Sequence, residues 1–326
     1  MTRLLGGAPV TSVLAALAAG ACSAAASSES IATVRDAGET AASEPTVAAS
    51  GGLATAVVLC GYAVAAALVV AILRRRRAFS LAPGVVPVER VVPLLAIAFF
   101  AILVGQMLGN TFALRLFATP DSGSPLEARA IGMLGGYAIQ LPIAAALGLV
   151  LTPSVDARRG PRLVLAGVIA IVCIWPFVQL ASMLAGMVQQ ALTRAAPPEL
   201  GHDTLTQLAS APRDAWAGVV ILCVVALAPA IEEVSYRGAL QGAMRGVGMS
   251  ASAAIALTSV VFVVMHLPAI PTDGLAAAVS GLLVLSLGLG IVRERSRALV
   301  PCIVAHALFN VANLMLTWLI ATVPAS

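Results

Sequence analysis

The sequence predicts an all-α fold, a polytopic membrane bundle of about eight transmembrane helices. Three observations carry that prediction. Hydrophobic residues make up 60% of the chain and charged residues 10%, with a mean hydropathy of +0.99. Soluble domains carry about 25% charged residues, so this chain of 326 residues cannot coat a water-facing surface. The apolar residues fall in runs of about 20, the length that crosses a bilayer as a helix. The basic residues, 19 in number and all arginine, gather between alternate runs. These facts exclude a disordered chain, a disulfide scaffold and a nucleic-acid binder. A net charge of only +4 leaves the basic pI to membrane topology.

The elements follow in chain order. Arg3 precedes an alanine-rich run from Leu4 to Ala21, which ends in Ala19-Gly20-Ala21-Cys22. This reads as a signal peptide, with Cys22 a loose match to a lipidated cysteine. Residues 23–50 are rich in Ala, Ser, Thr and Glu with no apolar face, a tail or linker composition. Spans are then expected near 52–73, 91–112, 130–151, 163–186, 216–236, 251–267, 274–292 and 299–320. Four of the five cysteines (Cys60, Cys173, Cys223, Cys302) lie inside these runs without CxxC spacing, as small packing residues do. The chain divides into 1–50, a signal-like segment and tail; 51–214, N-terminal membrane helices of unassigned role; and 215–326, which holds the chemistry.

Arginine placement sets the expected orientation. Arg74–Arg77, Arg90, Arg158, Arg159, Arg162, Arg245, Arg293, Arg295 and Arg297 fall on one side. Arg35, Arg115, Arg129, Arg194 and Arg213 fall on the other. The first group is the larger, so the positive-inside rule places it in the cytoplasm and puts both termini outside. A signal-like start then suggests a bacterial cytoplasmic membrane. His202, beside Asp203 in an outer loop, is expected at the surface.

Ionisable residues inside spans are costly, at about 2.5–3.5 kcal/mol each on insertion scales. Here they come late and together. Glu232, Glu233 and Arg237 lie in Pro229-Ala-Ile-Glu-Glu-Val-Ser-Tyr-Arg-Gly238; His266 ends Phe262-Val-Val-Met-His266; and His306 and Asn310 bound His306-Ala-Leu-Phe-Asn310. If the fifth and sixth spans form a hairpin turning at Gly246–Ser250, Glu233 and His266 stand at equal distance from the turn and at equal depth. His306 reaches a similar depth from the turn near Arg293–Arg297. Glu233 and Arg237 are i,i+4 and can pair; His306 and Asn310 share a face by the same spacing. Glu232 is rotated by about 100° from Glu233, so the two carboxylates have different tasks. Arg237 neutralises Glu233, and Glu232 faces a cavity.

The three motifs, Glu-Glu-x-x-x-Arg, Phe-x-x-x-His and His-x-x-x-Asn, in this order on separate spans, resemble the CAAX protease and bacteriocin-processing (CPBP) family of intramembrane endopeptidases, to which type 2 CAAX prenyl proteases belong. The resemblance covers about residues 215–320. It implies an intramembrane hydrolase that cuts peptide bonds of membrane-associated or lipidated protein substrates. Carried over residue by residue, Glu232 activates a water, His266 helps hold it, and His306 and Asn310 stabilise the tetrahedral oxyanion. Glu233 and Arg237 become a structural ion pair, and Phe262 packs beside His266. The preferred mechanism needs no cofactor. Zinc is the alternative, with Glu232, His266 and His306 as a three-ligand set. Two other functions use the same residues: a proton-coupled transporter with a Glu/His relay, and a non-catalytic membrane scaffold.

Overall fold

The computed structural model describes residues 60–64, 67, 92–117, 124–151, 160–194 and 203–322. The signal-like segment with Cys22, the 23–50 tail, most of the first expected span, Arg74–Arg77 and His202 lie outside the described residues.

No strand occurs among the described residues; eight helices of at least eight residues are built there, with two short 3-10 turns, Leu267–Ala269 and Thr272–Gly274, between the sixth and seventh. These are α1 (Val92–Phe117), α2 (Pro125–Leu151), α3 (Gly160–Thr193) and α4 (Asp203–Ser210). Then come α5 (Ala217–Gly246), α6 (Ala251–His266), α7 (Leu275–Ser296) and α8 (Val300–Thr322). All but the short α4 are long and apolar enough to cross a membrane. The protein is an integral membrane protein. Helices are what hydrocarbon permits, because each satisfies its own backbone polar groups. Every expected span from the second to the eighth has a helix at its place. α3 and α5 run past the expected ends, where Gln189 and Gln190 in α3 and Arg237, Gln241 and Arg245 in α5 interrupt the apolar run.

The turns have local causes. Asp214 Oδ1 accepts from the Trp216 N–H at 2.8 Å and so leads the chain into α5. The Ser124 hydroxyl, and after it this N–H, hold the Asp214 carboxyl below the usual carboxylate range. Ser250 caps α6 by accepting from the Ala253 N–H at 3.2 Å. Arg297 stops α7 in the left-handed region (φ 54°), where its N–H bonds to Arg293 O.

α1 and α2 form a tight hairpin. Gly109 and Gly135 meet backbone to backbone, and a Cβ on either would strike the other's carbonyl. Small residues at helix contacts permit this closeness in a membrane. α3 lies across α7 and α8 through Ile171, Ile174, Val178, Leu285, Leu289 and Ala305. α5 stands in the middle, touching α1, α2, α6 and α8. Around it Phe99, Ile102, Tyr137, Ile231, Tyr236 and Phe262 make one buried cluster. The outward face carries exposed Phe100, Met107, Phe112, Leu165 and Leu192, as a lipid-facing surface requires.

Candidate active site

α5 is not a uniform helix. Two π turns, Cys223–Leu227 and Val234–Leu240, flank the α-helical stretch Ala228–Glu233. A π turn shifts the hydrogen-bond register by one residue and frees backbone groups. In the first turn, the Ala228 N–H goes to Cys223 O. Pro229 has no N–H. The Val224 carbonyl is therefore left without a donor from its own helix, and the Asn310 side chain supplies one, Nδ2 to Val224 O at 2.8 Å. The second π turn carries Tyr236 and Arg237 into the core, where both are buried.

The two carboxylates separate as their rotation demands. The Glu233 side chain has no exposed surface, whereas that of Glu232 is 26% exposed. Glu233 Oε1 takes Arg237 Nη1 at 3.0 Å. Arg237 Nη2 continues to α7, donating to Ser286 Oγ at 2.8 Å and to Ser286 O at 3.2 Å. One turn on, Gln241 Nε2 donates to Gly290 O at 3.3 Å and to Glu294 Oε1 at 2.9 Å. These two rungs fix α5 against α7. Arg237 also lies 4.8 Å from the centre of the Phe262 ring, within cation–π range.

The histidines come in from α6 and α8. His306 Nδ1 is 2.8 Å from Glu233 Oε1. A carboxylate paired with arginine only accepts, so Nδ1 carries the proton and Nε2 turns away from Glu233. His266 Nδ1 is 2.7 Å from Phe262 O. A carbonyl also only accepts, so this ring too presents Nε2. Both Nε2 atoms point at Glu232 Oε2, at 3.8 Å from His266 and 3.9 Å from His306. Phe262 backs both rings, with centroids 4.3 Å from His266 and 5.9 Å from His306.

Glu232, Glu233, Arg237, Phe262, His266 and His306 thus lie in one constellation, and Asn310, one turn past His306, is held on the Val224 carbonyl. Glu232 reaches His266, its expected partner in holding the water. One contact goes beyond the expectation. Glu233 binds His306 as well as Arg237. Ser286 and the Val224 carbonyl were not anticipated. Ser286 is one serine in a leucine-rich run and has no motif; the Val224 carbonyl depends on a π turn that no periodicity announces.

These motifs sit within the part of the chain that a known family covers. Residues 214–312 match the family model described as Type II CAAX prenyl endopeptidase Rce1-like. The match bears out the resemblance read from the motifs and supports, in general terms, a CAAX-type intramembrane protease. No curated protein and no solved structure matches the chain. The Rce1-like segment begins just before α5 and ends within α8, so α1–α3 lie outside it.

Glu232, His266 and His306 are also a donor set of the kind that holds a metal. The types suit zinc: two imidazole nitrogens and a carboxylate oxygen. Among the described residues, however, no group of three His, Cys, Asp or Glu side chains has closed to metal-holding geometry.

Proposed function

We propose that the protein is an intramembrane endopeptidase that hydrolyses peptide bonds of membrane-embedded or lipidated protein substrates with a water activated by Glu232. One observation carries the reading: two imidazole Nε2 atoms converge on a single buried oxygen of the partly exposed Glu232 carboxylate, and that oxygen has no hydrogen-bond partner among the described residues. Separations of 3.8 and 3.9 Å are too long for direct hydrogen bonds and leave room for a water oxygen between Glu232 and an imidazole at about 2.8 Å from both, an ordinary hydrogen-bond length.

Glu232 takes one proton from the water, and the water oxygen forms the bond to the scissile carbonyl carbon. The π pair of that carbonyl moves onto its oxygen. His266 orients the water through Nε2. His306, as imidazolium, donates through both nitrogens, Nδ1 to Glu233 and Nε2 to the oxyanion. The second N–H of Asn310 Nδ2 is the other donor, with the first fixed on Val224 O. Collapse of the oxyanion breaks the C–N bond, and the proton on Glu232 passes to the leaving nitrogen. Glu233, Arg237 and Ser286 touch no reacting atom and act by positioning His306. No resident metal is needed for these roles. The Arg-rich connections lie in the cytoplasm of a bacterial membrane, with both termini outside.

The test compares wild type with Glu232→Gln at equal membrane levels in a deletion background, reading new peptide termini by mass spectrometry. Termini that appear only with wild type are expected. Identical profiles with stable, equal protein would remove the reading.

A further inference from the structure

Hydrolysis inside a membrane raises a problem that the catalytic groups do not solve. A helical substrate shields its scissile bonds, so the peptide must unwind before water can attack. Each unwound backbone group that finds no partner in hydrocarbon costs several kcal/mol. A protease of this kind therefore needs polar groups beside its site to hold an extended backbone.

Such a lining exists in the half of the chain that the family match leaves uncovered. A cavity of ≈ 410 Å³ opens between α1, α2 and α4, lined among others by Gln106, Asn110, Arg129, Met133 and Gln207. Gln106 and Asn110 are i,i+4 on α1 and face α2 at two glycines. A Cβ at Gly136 would overlap the Gln106 carboxamide, and one at Gly132 would overlap that of Asn110. The glycines thus keep a shelf open on which the two amides lie. Gln106 Oε1 is buried there and has no donor among the described residues. Arg129 closes one end, donating from Nε to Gln207 Oε1 and from Nη1 to Thr204 Oγ1, both at 2.5 Å. No described carboxylate forms an ion pair with it, although Asp203 lies within electrostatic reach.

The lining thus offers carboxamide donors, a guanidinium with N–H groups to spare, and an acceptor in want of a donor. A peptide backbone supplies both halves, C=O for the donors and N–H for Gln106 Oε1. A lipid phosphate or ester supplies acceptors alone. The spacing agrees: i,i+4 on a helix advances about 6 Å, close to two residues of extended chain. Arg129, Met133 and Tyr137 form one stripe of α2, and Met133 packs against the cluster that holds Tyr137 and Ile231. Ile231, in the same cluster as Tyr137, precedes Glu232 in α5. From Arg129 to Tyr137 is about 12 Å along the helix, the length of about four extended residues.

We propose that the Gln106–Asn110–Arg129–Gln207 cavity is a substrate subsite that binds an unwound, extended segment of a membrane-inserted peptide flanking the bond to be cut. The proposal rests on the protease reading for its purpose, but its test does not require turnover.

The test uses the full-length Glu232→Gln protein in lipid nanodiscs and two fluorescent membrane-spanning peptides of equal length. One is a continuous Leu-Ala helix, and the other carries a central Gly-Gly-Pro break. The broken peptide is expected to bind about tenfold more tightly, and the contrast should vanish in Gln106→Leu and in Asn110→Ala, with thermal melting confirming that each variant is folded. Two variants are used so that one unstable protein does not decide the result. Equal binding of the two peptides overturns the proposal, and so does a contrast that survives both substitutions. A preserved contrast beside an empty terminus profile would strike the protease reading while leaving the subsite standing.

Discussion

His306 Nδ1 lies 2.8 Å from Glu233 Oε1, and this contact joins two motifs that are 73 residues apart. It gives Glu233 a second task beyond its pair with Arg237. The carboxylate holds the imidazole by Nδ1 and so turns Nε2 toward Glu232. The chain of contacts runs from Ser286 through Arg237 and Glu233 to His306, and all four residues are buried. Glu232, by contrast, keeps part of its side chain exposed and its Oε2 without a hydrogen-bond partner among the described residues. The two adjacent glutamates should therefore fail differently when each is neutralised.

Glu232→Gln is expected to abolish cleavage while leaving thermal stability close to wild type. Glu233→Gln leaves the Arg237 guanidinium buried with no counter-charge. Breaking one side of a buried pair costs about 3–5 kcal/mol, so this variant should melt well below wild type or fail to accumulate. Melting curves in detergent check the contrast. Equal stability of the two variants would contradict the assignment of roles.

Asn310 has a structural and a chemical role that can be separated. Asn310→Ala leaves the Val224 carbonyl with no donor, because Ala228 is engaged and Pro229 has none. A buried orphaned carbonyl costs about 1–3 kcal/mol. Loss of an oxyanion donor lowers kcat by about 10²–10³-fold. Steady-state kinetics on the folded fraction should show a fall in kcat with little change in KM. A variant that is only less stable, with kcat per folded molecule intact, would confine Asn310 to the structural role.

How much of this was legible in sequence depended on the range of the signal. The bundle was legible because apolar run length is a direct constraint in hydrocarbon. The site residues were legible because an ionisable group inside a span is expensive and so conspicuous; Glu232, Glu233, Arg237, His266 and His306 stood out on that ground alone. Their exact partners were not. A rotation of about 100° per residue separated the roles of Glu232 and Glu233 correctly, but the π turn at Val234–Leu240 alters the phase of everything after it. Equal depth set Glu233, His266 and His306 at one level, but it did not contain the contact of Glu233 with His306. Ser286 and the α1–α2 cavity left no trace, because serine and glutamine in a span are cheap compared with a charge and follow no motif.

The metal question has a direct measurement. The proposed mechanism assigns each role to a side chain or to water, so activity in the purified protein is expected to persist after prolonged dialysis against EDTA or 1,10-phenanthroline. Elemental analysis should find less than one equivalent of zinc. Activity lost to the chelator and restored by zinc would replace the Glu232-held water with a metal-held one, on the same three side chains.

Ser286 offers the sharpest test of the positioning chain, because it touches neither substrate nor either histidine. Ser286→Ala removes the 2.8 Å acceptor of Arg237 and leaves its 3.2 Å bond to the Ser286 carbonyl. A hydrogen bond to a charged group contributes about 1.5–3 kcal/mol, and the remaining bond softens the loss, so destabilisation of about 1–2 kcal/mol is expected. If Arg237 acts on His306 only through Glu233, the substitution should also lower kcat, and the effects of Ser286→Ala and His306→Asn on kcat should be far from additive. Asparagine at 306 keeps a donor near the place of Nδ1 but has nothing at Nε2, so once Nε2 is gone its positioning no longer matters. Additive losses in the double variant would mean that Ser286 supports the fold of α5 on α7 and has no part in aiming the imidazole.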